Sequence, residues 1–483
     1  MSVAEARKLV AELEAAFGGG GDAAASNLPG YTWRDVAKHN RADDAWVSYA
    51  GKVYDVTEWM ARHPGGRDTL IVAAGRDVTE LFRTYHDVPV AEAVLPKYCV
   101  GVLTESELPT FPAPGPLHDK IKRYVAAALK AAGHDGKHSP YAWLRYACIV
   151  GGIVLATCGQ VAAHGALGGA TWAYIAVGAA LAVVQGFCSA LVGLMPLHDG
   201  SHYAITHSPL VWKALQHTHD FLNGASSLLW TYQHVLGHHI YTNVDGADPD
   251  VHTEPRDVRR IKDGQPWLWP YVYQAAYAPV LYGLLAWKTR MQDFVILFGT
   301  KMNGRIRVNP LTAEQLALFA LGKLTWLTYR FVLPCAVFGV PLTAMLVFQT
   351  IGDFTTSYWL ALTFQANHVV DQVAWPTVNE RTNTIDMDWA ELQVRTTQDY
   401  AHTSSFWTLF TGALNYQVVH HVVPGTLQVH YPLIAPAFKR ACAEEGVPFL
   451  HIDTGVAAIG EHIKYLHKMG QRADDAAAAA AAE

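Results

Sequence analysis

A chain of 483 residues is longer than one ordinary globular core and suggests two or three folding units. Apolar residues make up 51% and charged residues only 16%, a balance expected when lipid replaces water as solvent. The net charge of -6 at pH 7 argues against nucleic acid as a partner, and six scattered cysteines without a CxxC pair indicate neither a disulfide framework nor a zinc site.

Residues 1–17, MSVAEARKLVAELEAAF, alternate like a short amphipathic helix and lack the uninterrupted apolar core of a secretory signal, so the N-terminus is expected in the cytosol. Gly18 to Gly21 and the tract Ala476 to Ala482 read as low-complexity segments, leaving residues 1–30 and 471–483 as flexible ends. Residues 31–103 read as a small soluble α+β domain, opened by YTWRDVAKHN and followed by the strand-like GKVYDVT and the turn HPGG. In the linker, residues 104–120, LPTFPAPGP places four prolines in nine residues and predicts a stiff extended spacer. Residues 121–470 form the large remaining unit.

Within that unit Tyr146 to Ala163 and Ala170 to Leu197 carry no formal charge and are long enough to cross a bilayer as helices. Phe331 to Phe348 is a third candidate. After a break expected at Gly352-Asp353, Phe354 to Val370 is a fourth, with a re-entrant hairpin as its rival. Trp267 to Trp287 is apolar enough for a fifth, but its Trp, Tyr and Pro residues also suit the headgroup region, and an odd number of crossings would separate histidine clusters that must meet. Lys288, Arg290, Lys301, Arg305, Arg307 and Lys323 give the following loop a positive excess, the mark of a cytoplasmic face. The expectation is therefore four transmembrane helices with a cytosolic helical cap and both termini in the cytosol.

HPGG supplies His63, and His86 follows 23 positions later. Two axial imidazoles on a haem leave no vacant position, which favours outer-sphere electron transfer over oxygen binding. Taken alone, HPGG could be an ordinary turn. With YTWRDVAKHN, GKVYDVTEWMARHPGG, AAGRDVTELFRTYH and YCVGVL in that order, however, the segment resembles the cytochrome b5 family, whose axial ligand positions His63 and His86 match. Phe82 and Tyr85 are expected either to line the haem pocket or to pack in the core.

Three histidine clusters stand beside the apolar segments: His198 and His202 in HDGSH, His234, His238 and His239 in HVLGHH, and His420 and His421 with Gln417 in QVVHH. Imidazoles in this number suit iron, copper or zinc, and at least seven of them imply two metal ions. A redox metal gives a haem donor its purpose, so iron is preferred.

Together HDGSH, HVLGHH and QVVHH resemble the histidine boxes of the membrane fatty-acyl desaturases, and Gln at the start of the third box, with an N-terminal b5 domain, looks like the front-end subgroup. The resemblance implies an oxygen-dependent oxidoreductase with haem b and two non-haem irons. It makes His198, His202, His234, His238, His239, His420 and His421 iron ligands, with His368 of FQANHVV as a further one. Gln417 either ligates or holds a water, and Asp199, Asp245, Asp248 and Asp250 either orient ligand imidazoles or are plain turn residues. The implied partners are a fatty-acyl lipid or acyl-CoA, dioxygen, membrane lipid and an NADH-dependent cytochrome b5 reductase, and the implied location is the endoplasmic reticulum. A Δ5 activity on twenty-carbon chains is the expected specificity. Other fatty-acyl positions, a sphingolipid long-chain-base Δ8 desaturase, a hydroxylase and a membrane haem carrier with structural histidines remain alternatives.

Overall fold

DAWVSY and KVYD are rich in valine and aromatic residues, the composition that suits strands, and both are strands in the computed structural model. The structure describes residues 28–86, 94–169, 171–251 and 253–472. The expected N-terminal helix, the glycine run and the alanine tract lie outside the described residues, as does His252. Strands β1 (Gly30–Thr32), β2 (Asn40–Arg41), β3 (Asp44–Tyr49), β4 (Lys52–Asp55) and β6 (Cys99–Glu105) form one sheet in the order β1-β6-β4-β3-β2, and β5 (Arg76–Asp77) pairs in parallel with β3. Ala50 and Gly51, both at positive φ, make the two-residue turn between β3 and β4, a geometry that matches strand twist. Helices α1 (Arg67–Ala73) and α2 (Thr79–Tyr85) flank β5, and Val47, Tyr49, Tyr54, Met60 and Ile71 fill the core between sheet and helices.

LPTFPAPGP forms no helix and no strand element, but it is not a free spacer. The Thr110 N–H donates to the Asn383 carbonyl (2.9 Å), the Thr110 carbonyl accepts from Ile385 N–H (2.8 Å), and Leu108 and Phe111 pack on apolar clusters of the large unit. Main-chain hydrogen bonds and two apolar side chains thus hold the connection down.

Among the described residues three helices are long and apolar enough to cross a membrane: α3 (Pro140–Leu167), α4 (Trp172–Ser201) and α5 (Ala313–Val337). The first two carry the expected segments apart from Ala170, which lies outside the described residues. A fourth long helix, α6 (Leu342–His368), has 27 residues and is more polar. Phe331 to Phe348 is not one helix, because the chain turns between Val337 and Leu342, where Gly339 sits at φ 68° and Pro341 precedes the new helix.

Nor does α6 break at Gly352-Asp353. Gly352 is where α6 crosses α4: a Cβ on Gly186 would collide with the Gly352 backbone, so two glycines permit the contact. Asp353 accepts two hydrogen bonds from the Arg290 guanidinium (2.9 and 2.8 Å), and Gln349 donates to the same carboxylate (2.8 Å). Arg330, fully buried, donates from Nε to Gln349 Oε1 (2.7 Å). The polar residues that made this stretch look like a break form a seam inside the bundle, which is where polar groups in apolar helices belong. Two members of the supposed basic loop, Arg290 and Lys323, are accordingly taken up by Asp353 and Asp293.

Trp267 to Trp287 divides into a 3-10 turn (Trp269–Tyr273) and a helix (Gln274–Tyr282), followed by a helix over Leu285–Phe294, none long enough to span a bilayer. Trp269, Tyr273 and Trp287 are exposed, as an interfacial position requires. Replacing Asp353 by Ala would leave the Arg290 guanidinium without its counter-charge, so Asp353→Ala should lose about 3 kcal/mol or more, read as a lower thermal transition of the detergent-solubilised protein.

Candidate metal and haem sites

His63 and His86 face each other with ring centroids 5.9 Å apart. Each Nδ1 is held by a backbone carbonyl, His63 by Gly66 (3.1 Å) and His86 by Phe82 (3.1 Å), which leaves each Nε2 for a metal. Burial holds both imidazoles below their usual pKa, His86 at about 4, so both are neutral and can ligate. The residues therefore fit a haem held on two axial imidazoles. A side chain on Gly65 would lie 2.7 Å from the His63 ring, while Gly66, at φ 87°, opens α1 and faces Pro209 of the large unit. Phe82 stacks on His86 (4.2 Å, 15°), as expected of a pocket wall. The Tyr85 hydroxyl lies 2.7 Å from His202 Nδ1, across the domain boundary, a contact that the local sequence does not announce.

The three histidine clusters converge. His198 and His202 come from the C-terminal end of α4, His368 from the end of α6, and Gln417, His420 and His421 from α7 (Gln417–Val422). His234, His238 and His239 lie along and just past a π-wound segment, Thr231–His238. Its wider winding, roughly 4.4 residues per turn, sets His238 and His239 on either side of His234, where an α-helix would turn His239 away. All nine side chains are at most 5% exposed. Ring nitrogens of His198, His202, His234 and His420 fall within 4.8 Å of one another, as do those of His238, His368 and His421, and those of His239, His420 and His421. The Gln417 amide lies 3.3 Å from both His368 Nε2 and His421 Nε2.

A bound cation would account for this packing. His198 Nε2 and His420 Nε2 are 3.1 Å apart, and His234 Nε2 and His239 Nε2 3.2 Å. Such separations match the ligand edge around an ion about 2.1 Å from each nitrogen. The outward nitrogens are mostly anchored. His238 Nδ1 pairs with Asp248 (3.0 Å), His421 Nδ1 donates to Gln393 Oε1 (2.8 Å), and His420 Nδ1 meets the Tyr431 hydroxyl (3.1 Å). His198 Nδ1 contacts the Gln428 amide (2.8 Å), and His368 Nδ1 approaches the Thr396 carbonyl (3.4 Å). Burial keeps His234, His239, His420 and His421 below the usual imidazole range, hence neutral and able to ligate. At His238 burial also opposes protonation, yet the Asp248 and Asp250 carboxylates outweigh it and lift the imidazole to about 8. A cation on its other nitrogen would take the place of that proton.

Of the four aspartates, Asp248 alone hydrogen-bonds a ring of the clusters. Asp250 stands 3.8 Å from His238 Nδ1 and accepts from Gln233, Asp199 accepts from Tyr146, and Asp245 pairs with Lys262. His402, unassigned from sequence, bonds Asp399 (2.8 Å), whose carboxylate also accepts from Val418 N–H (2.7 Å) and so fixes the start of α7. Gln393, Gln428 and Tyr431 carry no sequence signal for their roles, because no short spacing links them to the histidines they hold. A cavity of about 600 Å³ reaches His234, His238 and His368 between apolar walls that include Leu229, Leu360 and Phe364.

The profile described as Fatty acid desaturase matches residues 170–453, and that described as Cytochrome b5-like Heme/Steroid binding domain matches residues 32–104. An Acyl-lipid (8-3)-desaturase of Mortierella alpina is 47% identical over 442 residues, covering 92% of this chain and 97% of its own. The chain belongs to the fatty acid desaturase family. Two proteins of Dictyostelium discoideum, Acyl-lipid (8-3)-desaturase B and Delta(5) fatty acid desaturase A, are each 38% identical over 92% of this chain and cover 95% and 94% of their own lengths. The desaturase is thus an integral-membrane oxidoreductase with a fused haem domain. That domain docks on the rest: Asn309 Nδ2 donates to the Ile71 and Ala74 carbonyls (2.8 and 2.9 Å), Arg307 donates to Gly75 (2.8 Å), Lys213 pairs with Asp68 (2.7 Å), and Val72 enters an apolar cluster with Leu229 and Tyr232.

His239→Ala should abolish desaturation and lower non-haem iron by elemental analysis while the haem absorption bands stay intact. His63→Ala should do the converse, removing the haem bands and leaving the iron.

Proposed function

We propose that the desaturase is a front-end enzyme that places a cis double bond at Δ5 of a twenty-carbon polyunsaturated acyl chain. Two non-haem irons would be held by His198, His202, His234, His238, His239, His368, His420 and His421, and haem b by His63 and His86. The carrying observation is the convergence of eight buried histidines, whose ring nitrogens fall within 4.8 Å of one another in overlapping groups, the second of them His238, His368 and His421, beside one cavity of about 600 Å³. Gln417 is read as a weak ligand of the second group: with its amide turned over, the oxygen replaces the nitrogen that lies 3.3 Å from both His368 and His421. The name Delta(5) fatty acid desaturase A, carried by a Dictyostelium relative, supports Δ5 over Δ4, Δ6 or Δ8.

When bound, the irons would supply the oxygen-activating chemistry needed to take hydrogen from an unactivated methylene, which no side chain can do. Overall, two substrate hydrogens, two electrons and two protons reduce one dioxygen to two waters. The chain's own residues fix the imidazoles through Asp248, Gln393, Tyr431 and Gln428, and exclude water by burial. The cavity sets which methylene lies beside the histidines, and a slip of one carbon would put the wrong bond in reach. Arg259 and Lys288 line the same cavity and suit a phosphate-bearing head group, a feature of phospholipid and CoA alike.

Helices α4 and α6 both deliver histidines from their C-terminal ends to one centre, so they run the same way across the bilayer. This supports four crossings through α3 to α6, with the termini and the haem domain on the cytosolic side of the endoplasmic reticulum, where an NADH-dependent b5 reductase can reach the haem. Residues 31–103 are taken as the haem domain, 104–120 as the linker and 121–470 as the desaturase domain. Yeast expressing the chain and fed a panel of polyunsaturated acids should accumulate a product with a new Δ5 bond from a twenty-carbon precursor. Changed sphingoid bases with no new fatty acid would overturn this in favour of a long-chain-base enzyme, and a product that retains oxygen would point to hydroxylation.

A further inference from the structure

Tyr85 is the last residue of α2 and is bonded directly to His86. Of the hydrogen bonds that described residues of the haem domain make across the interface, the one from Tyr85 ends on a histidine of the metal cluster. The His202 ring is fully buried, and its Nε2 has no protein partner but lies among the nitrogens of His198, His234 and His420. With Nε2 on a metal, Nδ1 carries the proton and donates it to the Tyr85 oxygen, the arrangement that fixes ligand imidazoles in metal sites. The phenol is itself held. Its ring packs edge-on against Tyr203 (5.3 Å, 73°), and Lys137 Nζ ties Tyr203 and Gly425 together by donating to both carbonyls (2.7 and 2.6 Å). A Cβ on Gly425 would touch the Tyr85 ring at 3.7 Å, and Lys122 caps the Arg83 carbonyl near the end of α2.

We propose that Tyr85 is a positioning residue lent by the haem domain to the non-haem site: its hydroxyl fixes His202, and the chain His86–Tyr85–His202 is the bonded route by which single electrons leave the haem. This rests on the desaturase reading above. Along the route the Tyr85–His202 hydrogen bond is the single non-covalent step between the two sets of ligands. Each crossing takes one electron from ferrous haem, which becomes ferric, and gives it to a ferric non-haem iron, which becomes ferrous. No proton needs to move, and an external one-electron donor restores the haem.

Tyr85→Phe removes one oxygen atom and keeps the ring. In full-length enzyme whose haem is reduced stoichiometrically with dithionite under argon, then mixed with dioxygen and acyl substrate, haem reoxidation should be roughly 10- to 100-fold slower than in wild type. Haem bands, the rate of reduction by dithionite and iron content should be unchanged, while the Mössbauer spectrum of the non-haem iron shifts. Tyr124→Phe, which trims an exposed phenol bonded to Glu444 and remote from both sets of ligands, should reoxidise like wild type. Wild-type reoxidation and an unshifted Mössbauer spectrum in Tyr85→Phe would overturn the proposal. Should that variant fail to hold haem, 3,5-difluorotyrosine at position 85 keeps the ring and hydroxyl but weakens the acceptor: slowed reoxidation supports the role, and an unchanged rate overturns it. A wild-type chain without non-haem iron or any fatty-acid product would instead sink the desaturase reading, a result distinct from an active wild type with an indifferent Tyr85.

Discussion

Neutral imidazoles with their lone pairs aimed at one another in a dry interior repel unless a proton or a metal ion stands between them. In this desaturase eight histidines and a glutamine meet in such an interior, His238 lifted toward protonation by Asp248 and Asp250, and much of the large unit can be understood as the means of holding them there. Helices α4 and α6 bring histidines at their ends, a π-wound turn spreads three more, and α7 closes the cage from a loop-rich region anchored by Asp399. Charge is taken up one layer out, where Asp248 faces His238 and neutral amides and hydroxyls face most of the others. An ion pair at every imidazole would bury many carboxylates; a single strong acceptor with several neutral partners costs less desolvation.

Buried polar groups also organise the apolar helices. Asp353, Arg290, Gln349 and Arg330 form a connected seam, and the Gly186–Gly352 crossing beside it brings α4 and α6 close enough for their ends to reach one site. In lipid the hydrophobic effect does not press helices together, so close backbone contact and satisfied polar groups fix the arrangement. Orientation of the histidines at the membrane boundary is thus inherited from contacts several turns away.

The fused haem domain does more than raise the local concentration of an electron donor. Backbone carbonyls of α1 and its C-cap are captured by Asn309, Arg307 and Arg76 reach across in both directions, and the end of α2 lies against the metal cluster. A donor held in one pose gives a defined transfer route in place of a distribution of encounters. The linker serves the same end, because its leucine and phenylalanine are packed and its prolines keep it from folding elsewhere.

Sequence alone was enough for the groups whose chemistry is local. HPGG with His86, and three histidine clusters beside uncharged runs, point to a haem domain and a histidine-rich centre in a membrane protein, because the members of one cluster lie within five positions of each other. Helix ends were less legible where one residue type serves two purposes. Gly352-Asp353 reads as a breaker by propensity, yet glycine permits a helix crossing and the aspartate answers an arginine 63 positions away. Tyr85 reads as either a wall of the haem pocket or plain core, since local spacing says nothing of which side of α2 faces another domain. Gln393, Gln428 and Tyr431 reach their histidines through contacts 28, 230 and 11 residues apart in the chain, separations at which no periodicity survives. The identity of the ligands was therefore a property of short segments, whereas their orientation, their outer partners and the contact between the two redox centres were decided by tertiary packing, which alone brings distant residues within hydrogen-bond range.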